Sequence, residues 1–175
     1  MAVSVRSGES LRLRAAAPDD EAFLLSVYES TRSAELSQVE WSDEQKAAFV
    51  RMQYEAQSQY YRDYYSTASF DVILSEDQRV GRLYVARWSR EIRIVDIALL
   101  PESCNRGIGA SLLRQLQTEA RASDKSLSIH VERFNPALRL YARLGFQQIE
   151  DKGVYLFLEW KPGLTPSSEQ QPQLT

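Results

Sequence analysis

The sequence predicts a mixed α/β fold, one sheet flanked by helices, built as a single domain. Three observations carry this reading. Residues 70–100 hold three β-rich runs separated only by short polar turns. Two helical patterns precede those runs. Behind them, helix and strand patterns alternate to residue 160. The order along the chain reads β-α-α-β-β-β-α-β-α-β.

Each element has its own signal. Residues 11–17, LRLRAAA, alternate apolar and basic side chains and read as a strand. Pro18, Asp19 and Asp20 open a helix, since proline tolerates the first helical position and acids suit the dipole. Leu24, Leu25, Val27 and Tyr28 give that helix an apolar side through about Arg32. Ser42 is the expected N-cap of a long helix to about Tyr64, with Glu44 and Gln45 close behind it. Phe49, Met52, Ala56 and Tyr60 recur at helical spacing and form its expected apolar row. Phe70 to Leu74, Val80 to Trp88 and Ile92 to Leu100 are the three β-rich runs, an antiparallel meander. A helix follows over roughly 107–121. SLSIHVER places Leu127, Ile129 and Val131 on one face of a strand. In NPALRLYARLG, Asn135 caps, Pro136 takes the first helical position and Gly145 ends a short helix. Residues 153–160 form the last strand. Residues 1–10 are expected to be a flexible N-terminus, 11–161 the domain, and 162–175 a disordered tail. That tail, rich in Pro, Ser and Gln, has no apolar periodicity.

Composition narrows the function. A chain of 175 residues suits one domain and can bury roughly 70% of its unfolded surface. The net charge of −3 gives no reason to expect a nucleic-acid or membrane partner. A single cysteine allows no internal disulfide, which fits a reducing compartment. The first ten residues lack an apolar signal-peptide core, and no apolar run is long enough to span a bilayer. A soluble cytoplasmic protein is the expectation.

The stretch ESCNRGIGASLL places two of the seven glycines, Gly107 and Gly109, where a helix begins. Helix N-termini present unpaired N–H groups and a partial positive charge, so they bind phosphate. With no Cβ at either glycine, an anion can approach the amides of Asn105 to Ala110 closely, and Arg106 can add charge. The turn is not a P-loop, whose Lys-Ser/Thr ending is missing. Nor is it a dinucleotide fingerprint, whose third glycine is replaced by Leu112. Taken alone, it is equally a strand-to-helix turn that uses glycine for geometry.

The surroundings decide. Pro101 ends the strand IRIVDIALL, the turn follows, and LYARLGF comes about 25 residues later. Together these resemble the GNAT superfamily of acyl-CoA-dependent N-acetyltransferases. The family's pyrophosphate loop reads Gln/Arg-x-x-Gly-x-Gly/Ala, and here the register is Cys104-Asn105-Arg106-Gly107-Ile108-Gly109. Its other signature, an Asn and then a Tyr-bearing helix closed by Leu-Gly-Phe, is matched by Asn135, Tyr141 and Leu144-Gly145-Phe146. The resemblance covers about residues 11–160. Its one departure is Cys104 in place of Arg or Gln; the loop amides remain, with Arg106 as a replacement charge. Nothing in the sequence makes Cys104 a nucleophile, since no histidine lies near it.

The resemblance implies acetyl-CoA (coenzyme A) as cofactor, held by Asn105, Arg106, Gly107, Ile108, Gly109, Ala110 and Asn135. It also implies a role for the backbone of Ile97, Ala98 and Leu99. That strand splays from its neighbour in the family, and one of its N–H groups meets the thioester oxygen. Without the resemblance, these residues are merely a buried strand. Tyr141 takes the position that protonates the leaving thiolate; read from its pattern alone, it is a core aromatic. Asn135 is a helix cap first and a cofactor contact second. For the base there are three readings: Asp96, the single histidine His130, or a water chain with no dedicated base. Aromatic residues Trp41, Tyr54, Tyr60, Tyr61, Tyr64 and Tyr65 stand in the least family-like part of the chain. Trp41 and Tyr61 are candidates to wall an acceptor pocket, and helix packing accounts for such residues equally. The expected activity is transfer of acetyl from acetyl-CoA to a primary amine of a small molecule, amino-acid-like compound or peptide, and homodimers occur among relatives. The alternative is a catalytically weak acyl-CoA-binding sensor or scaffold.

Overall fold

The computed structural model describes residues 3–4 and 10–163. The remainder of the expected flexible N-terminus, and the tail from residue 164, lie outside the described residues. Among the described residues, eight strands form one sheet in the order β1-β2-β3-β4-β5-β6-β8-β7. They are β1 (Val3–Ser4), β2 (Ser10–Ala15), β3 (Ser69–Ser75), β4 (Gln78–Arg87), β5 (Glu91–Leu99), β6 (Ser126–Glu132), β7 (Gln147–Lys152) and β8 (Tyr155–Trp160). Four α-helices accompany them: α1 (Glu21–Leu36), α2 (Asp43–Tyr64), α3 (Ile108–Ala122) and α4 (Leu138–Arg143). Every pairing is antiparallel except β5 with β6.

The order read from the sequence recurs with two strands added. β1 pairs Val3 and Ser4 with Leu11 and Ser10. β7 is QQIEDK, almost wholly exposed, and its one apolar side chain, Ile149, is itself exposed. It has no alternation to read; pairing with β8 alone makes it a strand.

The sheet is buried on both faces by helices. On one side Leu24 and Tyr28 of α1 and Val50 and Tyr54 of α2 pack over Val72 and Leu74. On the other, Ile108, Leu112, Leu113 and Leu116 of α3 pack over Ile73, Leu83, Val85, Ile92, Ile94 and Leu127. Residues 72–74 thus alternate between the two cores, as the pleat demands. Ser42 caps α2 as expected: its Oγ accepts the Gln45 N–H at 3.2 Å and its own N–H donates to Gln45 Oε1 at 2.9 Å. The apolar row of α2 differs from the expected one. Met52, Ala56 and Tyr60 face solvent, and the inward row runs through Val50 and Tyr54. Helical spacing fits both rows of this helix; packing against α1 and the sheet chooses between them.

A single extra residue shapes the centre of the sheet. Tyr84 pairs with Asp96 and Val85 with Ile94, which leaves Val95 as a bulge in β5. Parallel pairing with β6 ends at Ile94 and Ile129. Beyond that point β6 stays with β8 and β5 stays with β4, so the two central strands diverge into a wedge. Gly81 locks β4 to the far part of β5: a Cβ there would lie 2.2 Å from the Ala98 carbonyl oxygen.

Candidate active site

The wedge opens into a cleft of about 200 Å³. β5 contributes Val95, Asp96, Ile97 and Ala98, and β6 contributes Ile129, His130, Val131 and Glu132. Asn135 and Tyr141 come from the segment behind β6, and Tyr155 from β8. Across the opening stand Tyr28, Thr31 and Arg32 of α1, and Gln57 and Tyr61 of α2. Arg82 of β4 forms part of the floor.

The polar centre is a buried ion pair. Arg82, 2% exposed, donates from Nη2 to Asp96 Oδ2 at 2.7 Å and to Gln57 Oε1 at 2.9 Å. Tyr61 Oη donates to the same Asp96 oxygen at 3.1 Å. Both donors converge on Oδ2, so Oδ1 has no hydrogen-bond partner among the described residues. The Arg82 guanidinium lies between the rings of Tyr28 and Tyr84, at 5.8 and 5.4 Å. Burial works against its charge, but Asp96 and the surrounding phenols outweigh burial and hold its pKa above the ordinary value. Its Nε is buried and has no hydrogen-bond partner among the described residues. Burial, and then the Asp96 charge, push the Tyr61 phenol well above its usual range. Tyr84 is pushed up to about 12, mainly by burial.

Tyr141 is 3% exposed and meets Phe146 edge-on at 5.4 Å. Burial, followed by the Asp96 charge, raises its pKa far above neutrality, so its hydroxyl keeps its proton. His130 stacks on Phe157 at 4.8 Å with Nδ1 3.5 Å from Arg93. Burial and then the Arg93 and Lys152 charges lower its pKa, which leaves a neutral ring at neutral pH. Near the opening, Arg32 Nη1 pairs with Glu132 at 3.2 Å and Glu35 at 3.1 Å.

The glycine turn lies between β5 and α3. Asn105 and Gly107 both adopt positive φ, 59° and 87°, so the chain turns sharply before the helix. Among the described residues no side chain caps α3 at Gly107. Gly109 is helical, and a Cβ there would meet only Leu140 Cδ2 at 3.6 Å, ordinary contact. The packing of the fold therefore does not require glycine at 109. Cys104 has a thiol raised in pKa by burial and then by Glu102, so it is not an activated nucleophile. Asn135 Oδ1 accepts the Ala137 N–H at 2.8 Å, but α4 begins only at Leu138 with Ala137 as its N-cap, so Asn135 and Pro136 form a turn ahead of the helix instead of its expected cap and first residue.

The structure thus gathers Asp96, Ile97, Ala98, His130, Asn135, Tyr141 and Tyr61 in one cleft. Asn105 to Ala110 form the glycine turn and the start of α3. Leu99 packs against the core instead of lining the cleft, and Trp41 is not at the cleft: it packs edge-on against Phe49 at 5.3 Å. Sequence reasoning missed Arg82, Gln57, Arg32 and Glu132. Arg82 is the one charged residue among the seven consecutive buried positions of β4, a burial that only the structure reveals.

Residues 66–148, from the start of β3 into β7, match the family model described as an acetyltransferase (GNAT) domain. That stretch, just under half of the chain, is similar to a GNAT acetyltransferase domain. No curated protein matches it. Solved GNAT structures share its fold. The PaiA N-acetyltransferase of Thermoplasma acidophilum, in complex with coenzyme A, superposes with a TM-score of 0.66 at 18% identity, over 87% of this chain and 99% of that one. A GNAT family acetyltransferase of Elizabethkingia anophelis, with acetyl-CoA bound, gives 0.56 at 17% identity, over 89% and 99%. An acetyltransferase of Thermus thermophilus gives 0.62 at 18%, over 86% and 96%. The matched GNAT segment contains the wedge and the glycine turn. It excludes α1 and α2, which supply the opposite wall of the cleft.

Proposed function

We propose that the cleft binds acetyl-CoA and transfers its acetyl group to a primary amine. The observation that carries this is the junction of wedge and turn. The bulge at Val95 exposes β5 backbone beside Asp96 and Tyr141, and β5 leads directly to the uncapped amides of α3. Those amides fit a pyrophosphate, and the bare Cα of Gly109 gives it room. The unpaired β6-facing edge of residues 95–99 fits an extended amide-bearing arm. Acetyl-CoA supplies a thioester already activated toward nitrogen. In the transfer one C–N bond forms, the C–S bond breaks, and one amine proton ends on sulfur.

This chain's residues divide that work. Asp96 Oδ1 is the acceptor that orients the amine, while Arg82 and Tyr61 hold the other oxygen. His130, neutral, is the second group able to take a proton from nitrogen. Tyr141 holds its proton too firmly to surrender it freely. A phenol at or above about 10 gives a proton to a thiolate of ordinary pKa, about 8.5, only at a cost of roughly 2 kcal/mol. Its role is therefore hydrogen-bond donation to the departing charge, with the nitrogen's own proton completing the transfer.

Calorimetry with acetyl-CoA, followed by thiol release against a panel of amines, tests this. Binding and release are expected, with Tyr141→Phe lowering kcat by on the order of 10² and leaving cofactor affinity intact. Failure to bind acetyl-CoA would refute the reading. Binding without thiol release for any amine would leave an acyl-CoA sensor or scaffold.

A further inference from the structure

Two guanidinium groups fix the outlook of two neutral side chains in the cleft. Arg93 stands behind the cleft wall and does not line it. Its side chain is 14% exposed, held by Glu91 at 2.6 and 2.8 Å and by Ser128 Oγ at 2.6 Å, with the rings of Trp88 and Phe157 at 5.4 and 5.1 Å. From there Nη1 faces His130 Nδ1 at 3.5 Å. The contact is long, but its sense is fixed. A guanidinium carries donors only, so Nδ1 presents its lone pair and the ring proton sits on Nε2. The reverse tautomer would set N–H against N–H beside a positive charge. Stacking on Phe157 at 4.8 Å fixes the ring plane. The edge of the ring away from Arg93 is therefore the one that meets the cleft, and its Nε2–H has no hydrogen-bond partner among the described residues. Gln57 repeats the arrangement. Its Oε1 accepts from Arg82 Nη2 at 2.9 Å, so the NH2 end of the amide is the one without a partner among the described residues.

We infer that His130 is a fixed hydrogen-bond donor to the acceptor and not its base, and that the acceptor carries a neutral oxygen, carbonyl or hydroxyl, beside its amine. Arg93 is the positioning residue that sets the tautomer. The inference rests on the acetyltransferase reading and narrows it. Leu127, Ile129 and Val131 face the α3 core, so His130 projects to the opposite face of the sheet, where Asp96 and Arg82 meet Tyr61 and Gln57 of α2. The cofactor's phosphates, on the α3 amides, and the acceptor thus reach the wedge from opposite faces. The lone pair with which neutral His130 could take a proton is turned away from that space. The amine proton is left to Asp96 or to water, and Nε2–H and the Gln57 amide are left to hold an oxygen.

The chain has a single histidine, so its two ring nitrogens are read without ambiguity in long-range proton–nitrogen NMR spectra. In the protein alone at neutral pH, Nδ1 is expected as the unprotonated nitrogen and Nε2 as the protonated one. Arg93→Met, which removes the donor, is expected to mix the two forms. Thiol release from acetyl-CoA then reads the donor's role. Alaninamide against 2-aminobutane, and ethanolamine against propylamine, are pairs that differ in the oxygen. His130→Ala is expected to lower kcat/KM by about three- to tenfold for the oxygen-bearing amine and to leave its counterpart within about twofold. His130→Gln, whose amide N–H reaches about as far as Nε2–H, is expected to restore most of the loss. The variants decide, since the two amines of a pair also differ in basicity. A proton on Nδ1 in the wild type overturns the inference, as does a tautomer unmoved in Arg93→Met. So do equal losses for both amines in His130→Ala, or a His130→Gln no better than His130→Ala. Acetylation of neither member of either pair, with acetyl-CoA bound, overturns it too and leaves the cofactor reading standing. Failure to bind acetyl-CoA brings down both, whatever the tautomer.

Discussion

Arg82 offers the sharpest test of how the cleft is held together. Arg82→Leu removes the donor to Asp96 and Gln57 and leaves a carboxylate whose side chain is only 14% exposed without its counter-ion. Breaking a buried pair from one side costs about 3 to 5 kcal/mol. The residual exposure of Asp96, and the removal of the orphaned Arg82 Nε, bring the expected loss to about 2.5 kcal/mol. Asp96→Asn leaves the guanidinium buried and unpaired and is expected to lose a similar amount. The double variant Arg82→Leu/Asp96→Asn has no unpaired charge, and the introduced amide can still accept from Tyr61 through its carbonyl oxygen. Its loss is expected to stay near about 2.5 kcal/mol, a coupling of similar size between the two sites. Urea unfolding reads this directly: at a slope of about 2 kcal/mol/M, each single variant moves the midpoint by about 1 M, and the double moves it no further. A double variant that loses the sum of the two would refute the reasoning, since the pair would then contribute nothing beyond its separate contacts.

Two further outcomes are expected. Gly109→Val has space in the protein, where an added Cβ meets only Leu140, but places carbon over the first-turn amides of α3. It should fold and lose at least about tenfold in acetyl-CoA affinity, roughly 1.4 kcal/mol, while Cys104→Ser binds as wild type; calorimetry giving the reverse order would refute the assigned loop. Asp20, 2% exposed, is held far below the usual carboxylate range by Arg14, then by the Ala17 N–H, with Arg79 adding to both. A depressed folded pKa means stability that is complete above the unfolded value of about 3.9 and lost as pH falls through the folded one. Asp20→Asn should therefore be less stable than wild type at pH 7, by about 2 kcal/mol, with the gap narrowing as unfolding is followed down from about pH 4. A gap that stays constant into strong acid would show that the cost is steric.

The parts of this fold that could be read from sequence are those where one pattern has one meaning. Three β-rich runs gave β3, β4 and β5, and Ser42 with Gln45 marked the start of α2. α2 itself shows where reading stops: two rows fit its period, and contacts from α1 and the sheet choose Val50 and Tyr54. β7 has no apolar pattern because it is an exposed edge. In the site, the glycine turn, Asn135 and Tyr141 were legible because their spacing is local. Arg82 was not, since a charged residue in a strand ordinarily faces water, and its partner lies on the next strand. The pairing of Arg32 with Glu132 joins residues 100 apart and belongs to tertiary structure alone. Trp41 failed for the same reason in reverse: its type suits a pocket, but its loop does not reach one.

The bulge at Val95 has a consequence for how such a site arises. A bulge absorbs one extra residue on its strand, so the residues after it keep their partners and faces on the neighbouring strand. Without Val95, Asp96 would follow Ile94 directly and still stand opposite Tyr84, and β5 would be free to continue its ladder along β6. The same deletion would therefore close the wedge while leaving the carboxylate beside Arg82. A cleft of this kind can be gained or erased by a single codon, with most of the hydrophobic core left in place. Insertions and deletions, more than substitutions, are the step by which a sheet like this one acquires or loses a place to bind.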